Sequence, residues 1–196
     1  NFANPLVIRD NYRQGAADLV ALFKSLPGLN IEGDAAPDVD PTRIHFIGLS
    51  NGAITGIPTL PFVPFRTASL ADGGGGLTQT LLESPQQSGP AIAFLGAAGL
   101  VQNSTIFNNT VLRDFQALVD PADPSNYIAA AAALRPVYMT RVVGDTNVPN
   151  SAFDRLVTAS GVTQLSTAGL TPIGAGTGRW LGVTEGEHGS LIYPQP

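Results

Sequence analysis

The sequence contains no cysteine. Disulfides, thiol nucleophiles and cysteine-ligated metal centres are therefore excluded. Basic charge is scarce as well. Lys24 is the only lysine, the arginines are scattered, and the net charge is −5 with a pI near 4.8. Phosphate binding needs clustered Lys and Arg, so nucleic acid is excluded as a partner, and no basic face is visible for an anionic membrane. Long apolar runs are also lacking. The longest, Pro90 to Val101, is too short and too rich in Gly and Ala to cross a bilayer. Charged residues make up only 13% of the chain and hydrophobic ones 43%, which excludes a disordered polyelectrolyte. The 196 residues suffice for one domain with a substantial core.

The periodicity predicts an amphipathic helix over Asn11 to Leu26. Ala16, Leu19, Val20, Phe23 and Leu26 share one face, Asn11 and Gln14 resemble a capping box, and Pro27-Gly28 stops the helix. Arg43 to Gly48 reads as a short buried strand, and a helix broken by Pro58 and Pro61 follows it. Phe65 to Ala71 reads as a second strand, then Gly73 to Gly76 as a flexible loop at the mouth of a site. Thr110 to Val119 and Asn126 to Leu134 are helical candidates inside a mixed stretch, Leu77 to Leu134, which reads as a lid-like or cap-like insertion. Pro136 to Val143 is a third strand, Ser151 to Ala159 a helix and Arg179 to Thr184 a fourth strand. Strands alternating with helices predict an α/β fold with a mainly parallel sheet and flanking helices.

Gly48-Leu49-Ser50-Asn51-Gly52 matches G-x-S-x-G, between a predicted strand and a predicted helix. A nucleophile at such a sharp turn needs small residues two positions away on each side, so that strand and helix can pack closely. The turn lifts the Ser50 hydroxyl above the sheet and aims the Asn51 N–H at a developing oxyanion. Asp145, in Gly144-Asp145-Thr146-Asn147-Val148-Pro149, directly follows the third strand, where a carboxylate is placed to orient an imidazole; the plain alternative is a turn-forming Asp. His188, in a glycine-flanked loop after the last strand, is the candidate base, with an exposed loop histidine as the plain alternative. The other histidine, His45, lies in the buried strand and reads as structural. Asp120 and Asp123 are alternative acids but read better as turn carboxylates before prolines, and Glu185 and Glu187 sit too near His188 to be preferred. Trp180 reads as core. Gly73 to Gly76 lacks the Lys-Ser/Thr of a phosphate loop. No metal or cofactor is expected.

The order Ser, Asp, His resembles the α/β-hydrolase superfamily, and GDTNVP resembles its common acid-loop form. GLSNG, the Gly-rich stretch after Ala71, LVDPADPSNY and TEGEHG are similar more narrowly to bacterial extracellular lipases of the virulence-factor type, which include surface lysophospholipases. The resemblance implies ester hydrolysis of acyl lipids, with Ser50 as nucleophile, His188 as base and Asp145 as acid. It also implies a secreted or cell-surface bacterial enzyme that meets a lipid interface transiently. The side chains of Phe94, Leu95, Ile106 and Phe107 offer an apolar acyl-chain surface, with ordinary core as the alternative.

A full hydrolase sheet has strands ahead of the elbow strand, and a loop among them supplies the second oxyanion donor. Only one helix and a loop precede Arg43, the first residue is Asn1, and no signal-peptide pattern is present. The expectation is that residues 1–196 form the carboxyl-terminal part of one α/β-hydrolase domain, with 77–134 as the insertion and a separate amino-terminal segment as partner. A peptidase or acyltransferase on the same scaffold is an alternative, as is a non-catalytic fragment acting as an interaction module.

Overall fold

The computed structural model describes residues 4–34, 36–100, 110–165 and 178–190. Ile106 and Phe107, expected on an acyl surface, lie outside that set. Helix α1 (Pro5–Ser25) starts earlier than its periodicity predicts. Asn4 caps it by accepting from Leu6 N and Val7 N, and Pro5 at the first helical position needs no hydrogen-bond acceptor. Gln14 therefore caps nothing; it donates to Asp18 one turn on. The expected apolar face is present: Ala16 and Phe23 are buried, and Leu19, Val20 and Leu26 pack against the core.

Five strands form one sheet: β1 (Phe46–Leu49), β2 (Ala68–Ala71), β3 (Val137–Val142), β4 (Thr163–Gln164) and β5 (Arg179–Val183). Their order is β1-β2-β3-β5-β4, and every neighbouring pair is parallel. Parallel neighbours need crossovers. Helix α2 (Asn51–Gly56) follows β1 and α7 (Asn150–Ser160) follows β3. β1 is shorter than expected because Pro41–Arg43 closes a 3-10 turn. His45 consequently lies ahead of the strand and is exposed, not buried; its Nδ1 is 2.7 Å from Thr67 Oγ1. Trp180 packs edge-on against Phe153 of the core, with ring centroids 5.6 Å apart.

Residues 77–134 contain α3 (Leu77–Glu83), α4 (Ser88–Ala97), α5 (Thr110–Val119) and α6 (Ile128–Leu134). Ile128, Ala131 and Ala132 of α6 belong to the main core, together with Phe46, Val137, Met139 and Phe153. Leu95 instead joins Leu112 in a small cluster of its own, away from that core. The four glycines after β2 differ from the expected mouth loop. Gly73, Gly74 and Gly75 are buried and lead from β2 straight into α3. A Cβ on Gly74 would stand 2.8 Å from Ala152 Cβ, and one on Gly75 would stand 2.0 Å from Ser125 Oγ. Glycine is needed because α7 and the Pro124–Asn126 turn press directly on this backbone.

Candidate active site

Ser50 belongs to both elements that meet at it. Its N–H donates to Ala71 O at 2.8 Å, which prolongs the sheet, and its C=O accepts from Ala53 N and Ile54 N, which starts α2. Serving both within one residue forces φ to 54° and ψ to −121°, a conformation that side-chain-bearing residues rarely adopt. Gly48 makes this possible, since a Cβ there would lie 2.9 Å from the Ala53 backbone. Gly52 has no such role, because a Cβ there meets nothing within 4 Å. Of the two glycines in the motif, only Gly48 is held to its size by a neighbour.

His188 reaches Ser50 from the loop after β5. Glu187 N donates to Ser190 Oγ at 2.7 Å and Ser190 N to Glu187 O at 2.9 Å, closing a turn around the histidine. Gly186 and Gly189 take φ of 121° and 92°, which explains the flanking glycines. His188 Nε2 lies 2.7 Å from Ser50 Oγ, and Nδ1 lies 2.6 Å from Asp145 Oδ2. With the ring proton on Nδ1, His188 donates to Asp145 and accepts from the serine hydroxyl. The Asp145 side chain is 1% exposed and that of His188 17%. The two oxygens of Asp145 have different partners. Oδ1 accepts from Asn147 N at 2.8 Å and Val148 N at 3.1 Å, forming the turn, while Oδ2 faces the imidazole.

The other candidates fall elsewhere. Asp123 is buried but ties together the start of α3, accepting from Gly76 N, Leu77 N, Ser125 N and Gln116 Nε2. Asp120 is exposed and accepts from the same glutamine. Glu185 and Glu187 are exposed. Asn51, the first residue of α2, has a backbone N–H with no acceptor within its own helix. Its side chain accepts a hydrogen bond from Tyr12 Oη at 2.9 Å, which ties α1 to the elbow. Burial pushes the Tyr12 phenol above its usual range.

A cleft of about 680 Å³ opens at Ser50. Its apolar wall comes from Ile8, Ile54, Leu81, Phe115, Val119 and Val148, on α1, α2, α3, α5 and the acid loop. Leu95, named with Phe94 from sequence as an acyl surface, faces Leu112 instead. Two site-proximal residues escaped the sequence reading. Tyr12 carried no signal beyond its place on a helix. Asp72 did carry one: it directly follows a predicted strand, the same mark that singled out Asp145. Asp72, Asp145 and His188 hold ligand atoms within 4.8 Å of one another. In this arrangement Asp72 has both oxygens on backbone N–H groups, and the facing atoms of Asp145 and His188 bond each other.

Ser50, Asp72, Asp145 and His188 all stand at or just beyond the carboxyl ends of β1, β2, β3 and β5, the edge where parallel sheets place their ligands. This architecture is the α/β-hydrolase fold. No family model matches the chain, and no curated protein sequence does. Solved structures do resemble it. An acetyl xylan esterase from a Thermoanaerobacterium species superposes with a TM-score of 0.60 at 13% identity, over 88% of this chain and 46% of its own. A puromycin-hydrolyzing peptidase of Mycobacterium tuberculosis gives 0.55 at 18% identity, over 89% of this chain and 22% of its own. The acylaminoacyl peptidase of Pyrococcus horikoshii gives 0.52 at 16% identity, over 82% and 22%. The chain thus spans less than half the length of these proteins, and identities this low establish the fold alone.

Proposed function

We propose that this chain carries the active site of a serine esterase acting on acyl esters of lipids. The observation that carries the reading is the continuous hydrogen-bonded line from Ser50 through His188 to Asp145. In the reaction, His188 Nε2 takes the hydroxyl proton as Ser50 Oγ attacks the ester carbonyl carbon. Asp145 holds the ring in the tautomer this requires and stabilises the imidazolium. The Asn51 N–H faces the developing oxyanion, a contact worth ~3 kcal/mol in the transition state. The alcohol leaves with the proton from His188, and water then releases the acid from the acyl-enzyme by the same route in reverse.

The lipid half of the proposal rests on the cleft, whose largely hydrocarbon wall suits an acyl chain better than a polar peptide or sugar. Leu6 and Val7, in the first turn of the helix that supplies Ile8, are exposed apolar side chains. They suit a site that meets its substrate at a lipid interface, outside the cell or on its surface. A peptidase reading has its own support, since two of the similar folds belong to peptidases. Rates on matched p-nitrophenyl esters of increasing chain length and on the corresponding anilides separate the two.

Ser50→Ala is expected to lower p-nitrophenyl ester hydrolysis by at least ~10⁴-fold and to end covalent labelling by a fluorophosphonate, with an unchanged circular dichroism spectrum. A Ser50→Ala variant as active as the parent removes Ser50 from its role. A parent protein that is neither active nor labelled points to a non-catalytic scaffold.

A further inference from the structure

Asp72 is buried, strained and doubly bonded beside the triad, and the mechanism above does not use it. Its side chain comes from the end of β2, and the residue is 4% exposed. Its N–H donates to Thr140 O at 2.9 Å, prolonging the sheet toward β3. Oδ1 accepts from Val142 N at 3.1 Å, at the end of the strand that carries Asp145. Oδ2 accepts from Gly189 N at 3.3 Å, the residue next to His188. Two elements that deliver triad members are thus gripped by one carboxylate. The placement has a cost. Asp72 takes φ of 49°, and with Ser50 it is one of two non-glycine residues of positive φ among those described. Burial, then the neighbouring Asp145 charge, push its carboxyl above the ordinary range, against the pull of the two N–H groups and of His188. A surface-turn aspartate bears neither cost.

We propose that Asp72 is a positioning residue, clamping the His188 loop and the end of the acid-bearing strand in the geometry that aims His188 Nε2 at Ser50. Its catalytic consequence rests on the serine-hydrolase reading; its structural consequence does not. Asp72→Asn keeps the shape but turns an NH₂ donor toward one of the two backbone N–H groups, so one grip is lost. Misplacement of a catalytic base by a fraction of an ångström acts on the chemical step. Asp72 does not line the cleft, so substrate binding is left alone.

The test uses the full protein and its Asp72→Asn variant. The variant is expected to show kcat lower by ~10- to 100-fold with KM unchanged. It is also expected to show faster hydrogen exchange at whichever of the Val142 and Gly189 amides faces the new NH₂ group, and a His188 Nδ1 proton signal broadened by exchange with water. Parental kcat, or parental protection at both the Val142 and Gly189 amides, overturns the proposal. If the variant does not fold, the parent decides: a Gly189 amide that exchanges as freely as the exposed loop around it overturns the clamp, and core-like protection supports it. If the parent neither hydrolyses esters nor takes the fluorophosphonate, the esterase reading fails by itself, and the exchange and Nδ1 measurements still decide the clamp.

Discussion

Ser50 and Asp72 lie at the ends of neighbouring strands, and both bend into the left-handed region to leave the sheet. At Ser50 the meeting of strand and helix sets the backbone, and at Asp72 the N–H still follows the sheet to Thr140 while the carboxylate turns to Val142 and Gly189. For Asp72 this has a measurable pH signature. Its folded carboxyl lies above the ordinary value of 3.8. A carboxyl raised on folding supports the folded state while protonated, and that support is lost as pH rises through the folded value. The unfolding free energy of the parent minus that of Asp72→Asn is therefore expected to fall as pH increases from below 3.8, as read by urea denaturation at a series of pH values. A difference that grows with pH contradicts the burial of this charge. Ser50, Asp145 and His188 stood out in the sequence because chain order and strand-end position are properties of sequence. Asp72 bore the same strand-end mark, but which backbone amides it meets depends on the β3 and β5 loops arriving beside β2.

At the scale of elements, glycine separates what pattern reveals from what packing requires. Gly75→Ala places a Cβ 2.0 Å from Ser125 Oγ, and overpacking of this kind costs ~1–3 kcal/mol. Gly52→Ala meets open space inside α2, where exchange of glycine for alanine adds ~0.5–1 kcal/mol. Thermal melts of the two variants are expected to move in opposite directions; a shared loss at both positions means the elbow does need its second glycine. The long elements were read well. α5 spans Thr110–Val119, one of the two helical candidates of the mixed stretch, and α7 differs from its predicted bounds by a residue at each end. Helices α3 and α4 were not read. α3 has only 7 residues, and α4 includes Gly89, Pro90 and Gly96 and is apolar around its whole circumference, so neither shows a one-sided stripe. The start of α1 was missed because Pro5 and Ile8 line the cleft and Leu6 and Val7 are exposed, so none of the four belongs to the main core.

At the scale of the molecule, β1 is the outermost strand on its side of the sheet among the described residues. Ile47 on that strand is 72% exposed. An open edge with an apolar side chain recruits another strand. A polypeptide of these 196 residues alone is expected to associate with rising concentration, and Ile47→Lys is expected to shift its light-scattering mass toward the monomer. A mass distribution that is the same in both proteins rules out this edge as the contact. The parallel fold, the elbow at Ser50 and the order Ser, Asp, His were determined by sequence alone, because each is a matter of local turn chemistry or of position along the chain. Only the tertiary structure decided that Asp145 serves a turn and an imidazole at once, that the glycine run is pressed core, and that α1 walls the cleft at Ser50. Those are contacts between segments far apart in the chain, set by how helices close over a sheet, and the local sequence pattern does not contain them.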